Sequence, residues 1–157
     1  MTVFTKEERE EIINAINLLA RVCHGRARAG GWWGERDEAI KNLATAEALR
    51  ASGGEYFDPA LKRAKRLVML EKISMHDLVH SELSEALEGI RKNSADDHLP
   101  QYSSEAVEFG DALIREFDYI AGWNLPVAEA FVDKIEYNAQ RADHKPENRA
   151  KQGGKAI

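Results

Sequence analysis

Apolar residues recur along this chain at three- and four-residue intervals almost throughout, the spacing of one face of an α-helix. Runs of consecutive β-branched residues are few, which argues against long strands. Thr5, with Glu8 three residues on, reads as a capping box. The helix it opens should run to about His24, with Ile12, Ile13, Ile16, Leu19 and Ala20 as its apolar stripe. Gly25 to Gly34 reads as a basic, glycine-rich turn ending in Trp32-Trp33, and a second helix is expected over 36–51. Ser52-Gly53-Gly54 stops that helix, and Asp58-Pro59 supplies a cap followed by proline at the first helical position. The third helix should span Pro59 to about Lys92, long enough to invite a kink or an interruption. A polar loop containing Pro100 follows, then a fourth helix from Ser103 or Ser104 to about Ala121 and a fifth ending near Arg141. The expected architecture is a single all-α domain, a bundle of about five helices. Residues 1–58 form the N-terminal helices and tryptophan loop, 59–141 the helices with site chemistry, and 142–157 a polar, flexible tail.

Composition narrows the function classes. The chain has 157 residues, of which 43% are hydrophobic and 31% charged, as expected of one ordinary globular domain. A net charge of −5 argues against general nucleic-acid binding, which calls for a basic face. No segment approaches the roughly 20 apolar residues of a membrane span, and the first ten residues lack the apolar core of a secretory signal. The one cysteine, Cys23, rules out an internal disulfide and a cysteine-based zinc site. A cytoplasmic location, in a bacterium or phage-infected host, is the expectation.

Two acidic pairs carry the chemistry. Glu82 and Glu85 lie three apart on the third helix and Glu108 and Asp111 three apart on the fourth, with residues 86–107 between them. Residues at that spacing are neighbours on one helix face, so antiparallel packing would converge four carboxylates. On a helical wheel Glu82 borders the stripe of Met75, Val79, Leu83, Ala86 and Ile90, so it should be partly buried and in need of a partner. Hard oxygen clusters suit Mg²⁺, with Mn²⁺ as an alternative, and Mg²⁺ sites commonly include substrate phosphates. The structural reading is a set of surface acids paired with Arg91, Lys92 or Arg115. Asp118, two turns beyond Asp111, reads as part of an exposed salt-bridge ladder with Arg115, and otherwise as an orienting group behind the metal ligands.

Lys134, Asn138 and Arg141 fall on one stripe of the fifth helix, suited to gripping phosphoryl oxygens or simply solvated. Trp32-Trp33 offers a ring for stacking on a base, while packing of both rings on the bundle is the structural alternative. His76 and His80 have zinc-motif spacing, but Asp77 stands where the catalytic glutamate should be and no third ligand is evident.

Together these residues resemble the MazG-like all-α nucleoside triphosphate pyrophosphohydrolases. Glu82-x-x-Glu85, a spacer in the low twenties and Glu108-x-x-Asp111 match that family's metal signature, and Lys134, Asn138 and Arg141 its phosphate-contacting helix. The segment from Tyr137 to Arg149 is similar to shorter, often phage-encoded, members. Ser81 stands where many members carry a further acid, and residues 36–65 form a longer insertion than usual. The resemblance implies Mg²⁺-dependent hydrolysis of a nucleoside triphosphate, in the first instance a deoxynucleotide, to monophosphate and pyrophosphate. It implies that Glu82, Glu85, Glu108 and Asp111 hold the metal, with Glu85 taking a proton from the attacking water. It further implies that Lys134, Asn138, Arg141 and Trp33 contact substrate, and that the chain forms a homodimer or homotetramer. A non-catalytic nucleotide-binding or regulatory protein of the same fold, and release of a single phosphate instead of pyrophosphate, are the alternatives.

Overall fold

A computed structural model describes residues 3–141 of the chain; the expected flexible tail, 142–157, lies outside the described residues. The described residues are all-α. Helix α1 spans Lys6–Ala29, α2 Gly34–Gly53, α3 Asp58–Lys92, α4 Ser104–Gly122 and α5 Val127–Gln140, with a short 3-10 turn at Gly54–Phe57. The one extended pairing among them is an isolated bridge between Ala95 and Ser103 across the α3–α4 loop.

Local chemistry sets most of the boundaries. The Thr5 hydroxyl accepts from the Glu8 backbone N–H, and the Glu8 carboxylate accepts from the Thr5 N–H. Ser103 caps α4 through the Ala106 N–H at 3.2 Å. Asn93 closes α3 in the left-handed region at φ 50°, where asparagine is tolerated.

Two boundaries depart from the sequence expectation. α1 continues through 25–29, because Gly25 faces open space and is followed by the strong helix formers Arg26, Ala27, Arg28 and Ala29. Asp58 is the first residue of α3 and not its cap, its carboxylate being taken by Arg50 of α2. α3 then runs 35 residues without interruption.

α3 and α4 form an antiparallel hairpin. At the loop end they approach so closely that a Cβ on Gly89 would sit 2.9 Å from the Glu105 nitrogen. At the far end the Trp123 indole N–H reaches the Met75 sulfur at 3.3 Å. α1 packs along α4, α2 along α3, and α5 along α1. The buried apolar set is small-residued: seven alanines, with Trp33 and Val132 the largest side chains fully enclosed. Glu82 is the one buried charged residue among those described. Several large apolar side chains remain exposed, among them Leu83, Leu87 and Ile90 on α3 and Phe109 and Leu113 on α4.

Candidate metal centre

The apolar stripe of α3 sets the depth of the acidic pairs. Met75, Val79, Ala86 and Gly89 face inward, and Glu82, on the edge of that stripe, is carried into the α3–α4 seam at 6% exposure. α4 returns antiparallel and lays Glu108 and Asp111 against it. One carboxylate oxygen from each of Glu82, Glu108 and Asp111 lies within 4.8 Å of the others. Ligand oxygens around a six-coordinate Mg²⁺ at about 2.1 Å are about 3–4.2 Å apart, so small side-chain adjustments close the set. Burial is graded: Glu82 buried, Glu108 half-buried, Asp111 exposed. Such a gradient anchors an ion from below and leaves its outer face open.

The electrostatics agree. Burial pushes the Glu108 carboxyl above its usual range, and the charges of Glu85, Glu82 and Asp111, with a hydrogen bond to Glu82, push it the same way. Burial likewise raises Asp111, helped by Glu82, Asp96 and Glu85 and opposed by Arg115. The cluster therefore carries more negative charge than the protein compensates. Arg115 supplies the compensation there is, its Nε donating to Glu82 Oε1 at 2.5 Å. Three carboxylates against one guanidinium leave two negative charges, which one divalent cation cancels. The donor set fits a hard divalent ion.

Glu85 stands just outside the three-oxygen cluster. It is exposed and accepts from the Ser81 hydroxyl at 3.2 Å, yet its charge is felt by both Glu108 and Asp111. The serine at the position of the further acid thus orients Glu85.

The other sequence candidates are redistributed. Lys134, Asn138 and Arg141 are not brought to the acidic cluster within this chain. α5 folds back along α1, burying Ala128 and Val132, and Arg9 meets Asp133 at 2.6 Å and Glu136 at 3.7 Å. Lys134 on α5 and Arg141, which follows the helix in extended backbone and so leaves the expected stripe, lie over the Tyr137 ring at 4.9 and 5.9 Å.

The two tryptophans part company. Trp33 is 2% exposed, in edge contact with His24 and tilted against Trp123, whereas Trp32 is 73% exposed. The Trp33 ring, expected from the resemblance to contact substrate, is enclosed in the bundle, and the exposed ring of the pair is that of Trp32.

Asp118 is not part of an exposed ladder. Its carboxylate accepts from the Trp33 indole N–H at 2.9 Å and pairs with His24 Nδ1 at 2.7 Å, fixing the buried tryptophan against α1 and α4. Gly122 makes room for that ring, since a Cβ there would collide with it.

Two clefts flank the cluster. On the Asp111 side a cleft of about 480 Å³ is lined by Arg26, Trp32, Arg36, Asp111, Arg115 and Asp118, with Cys23 and apolar side chains between them. On the Glu85 side a cleft of about 430 Å³ is lined by Glu85, Glu88, Asp96, Asp97 and Glu108, with Lys92 and His98. The sequence reading passed over Arg26 and Arg36. The signal available was the basic character of the α1–α2 junction and the four-residue spacing of Trp32 and Arg36 at the start of α2. Comparison with protein-family models, with curated proteins and with solved structures finds no match for the chain.

Proposed function

We propose that the protein is a Mg²⁺-dependent nucleoside triphosphate pyrophosphohydrolase of the MazG-like kind. The observation that carries the reading is the convergence of Glu82, Glu108 and Asp111 at a seam where folding alone has no use for three carboxylates. Burying a charge is costly without a partner, and Arg115 offsets only one of them. In this reading Glu82, Glu108 and Asp111 hold the ion. When bound, a divalent cation polarises phosphoryl oxygens and eases deprotonation of an attacking water. Glu85, oriented by Ser81 and adjacent to the cluster, takes that proton. Water attacks the α-phosphorus, and the bond to the bridging oxygen breaks to release pyrophosphate. The exposed stripe of Leu83, Leu87 and Ile90, with Phe109 and Leu113 beside the centre on α4, supports assembly into a dimer or tetramer through this face.

The test is incubation with Mg²⁺ and a panel of ribo- and deoxynucleoside triphosphates, assaying monophosphate and pyrophosphate separately. Equimolar release of both products, lost in Glu85→Gln and Asp111→Asn, is expected. Equal turnover in the wild type and both variants would remove the site from the reaction. Saturable binding without turnover would leave a nucleotide-binding protein.

A further inference from the structure

Resting on that reading, we infer that the phosphate chain and the planar group of the ligand are received within one chain by the α1–α2 junction. Arg26, Arg36 and Arg115 are the cationic contacts that the chain itself offers and Trp32 the platform. The cleft on the Asp111 side is large enough for a small ligand, which typically occupies about 300–1,000 Å³. Three guanidinium groups line it against two carboxylates, and of these Asp118 is taken by His24 and Trp33 while Asp111 belongs to the acidic cluster. Arg26 has no carboxylate partner for its guanidinium among the described residues, so it is available to a ligand. Arg36 is held in place by several contacts, its one ion pair among the described residues being a long one. It donates to the Trp32 carbonyl, lies 5.7 Å over the Trp33 ring and meets Glu71 only at 3.7 Å. Its Nε is buried without a hydrogen-bond partner, a donor left for something else to satisfy. Arg115 lines the same cleft and touches the acidic cluster through Glu82, so it joins the anion site to the metal site.

The opposite cleft gives the direction. Its Glu85, Glu88, Asp96, Asp97 and Glu108 carboxylates repel a polyphosphate, and Lys92, its one ammonium, is already paired with Glu88 at 3.1 Å. Of the two clefts, the arginine side is therefore the one that favours a phosphate chain reaching the centre at Asp111. Trp32 lines that cleft with most of its ring exposed. A flat, apolar-faced group carried by the phosphates has this ring to stack on. A nucleoside triphosphate has both parts; inorganic triphosphate has only the first.

Cys23 makes the inference testable without turnover. It is the only cysteine in the chain, half-buried, and it lines this cleft. The rate of its alkylation by N-ethylmaleimide reports occupancy directly. The probes are inorganic triphosphate and α,β-imido nucleoside triphosphates, each with Mg²⁺. Both probe types should slow alkylation in the wild type. Arg26→Ala should raise the concentration needed for half-protection about tenfold for both, as expected for loss of one charged hydrogen bond to phosphate. Trp32→Ala should raise it for the imido nucleotides alone. Arg36→Gln also removes the contacts of Arg36 with Trp32 and Trp33 at the α1–α2 junction, so Arg26→Ala and Trp32→Ala, both at exposed positions, carry the test. Half-protection unchanged in Arg26→Ala but lost in Lys134→Ala would overturn the inference and return phosphate binding to α5. Turnover of a nucleotide whose imido analogue gives no protection of Cys23 would overturn it while sparing the hydrolase reading. Protection without turnover would uphold it while the hydrolase reading fails.

Discussion

Glu108→Gln should make the metal-free protein more stable while removing its response to Mg²⁺. The carboxylate oxygens of Glu108 and Asp111 lie within 4.8 Å. Two unit charges at that separation repel by about 0.9 kcal/mol in water and about 3.5 kcal/mol at an effective dielectric near 20. Asp111 is exposed and Glu108 half-buried, so solvent screening pulls the value to the lower end. The charge of Glu82 is largely met by Arg115, and a glutamine at 108 can still donate to Glu82. The net gain should be on the order of 1 kcal/mol, or about 2–4 °C in melting temperature for a chain of this size.

The sign with pH follows from the direction of the shifts. Glu108 and Asp111 are both raised in the folded state. Their contribution to stability is therefore present below their unfolded pKa values and lost as pH rises through the folded ones. The gain from Glu108→Gln should be absent in acid and full at neutral pH. Thermal or urea unfolding in excess chelator at low salt measures it. A variant that is less stable than wild type under those conditions, or a gain that persists below the ordinary carboxylate range, would refute the repulsion argument.

Three further outcomes follow from the packing and the charges. Trp33→Phe removes the indole donor to Asp118 from a buried setting, and urea unfolding should register a loss of about 1–3 kcal/mol. Gly122→Ala drives a methyl into the Trp33 ring and should cost about 1–3 kcal/mol in the same assay; a neutral result would mean that the α1–α4 contact yields freely. The melting-temperature rise on adding Mg²⁺ should fade on acidification, beginning above the ordinary carboxylate range because Glu108 and Asp111 take up protons early. A pH-independent shift would place the ion elsewhere.

What could be read in the sequence was what depends on near neighbours. The Thr5–Glu8 box, the Ser103 cap and the i, i+3 acidic pairs are local statements, and each sits on the expected helix. The depth of Glu82 was equally accessible, because the apolar stripe beside it is a property of its own helix. The extension of α1 past Gly25 was not. An exposed helical glycine costs only about 1 kcal/mol, less than the flanking arginines and alanines and the packing of α1 on α4 recover. Partners distant in sequence decided the rest. Which of two adjacent tryptophans is buried depends on Asp118, 85 residues away, and on the room left by Gly122. The same carboxylate, read from its seven-residue offset to Asp111, could not reveal that His24 and Trp33 had claimed it. Where α5 lies depends on what buries Ala128 and Val132, with Arg9 meeting Asp133 and Glu136 at the rim. Helical spacing can align Lys134, Asn138 and Arg141, but it cannot say what that stripe faces.

The claim that everything else rests on is that Glu82, Glu108 and Asp111 hold a divalent cation. Calorimetric titration of the chelator-treated protein with Mn²⁺, for the wild type and Asp111→Asn, tests it without substrate. The account predicts saturable binding in the wild type, with proton release that grows as the pH is lowered towards the raised carboxylate range, and its loss in Asp111→Asn. Equal Mn²⁺ binding by both proteins, or none by the wild type, would contradict it.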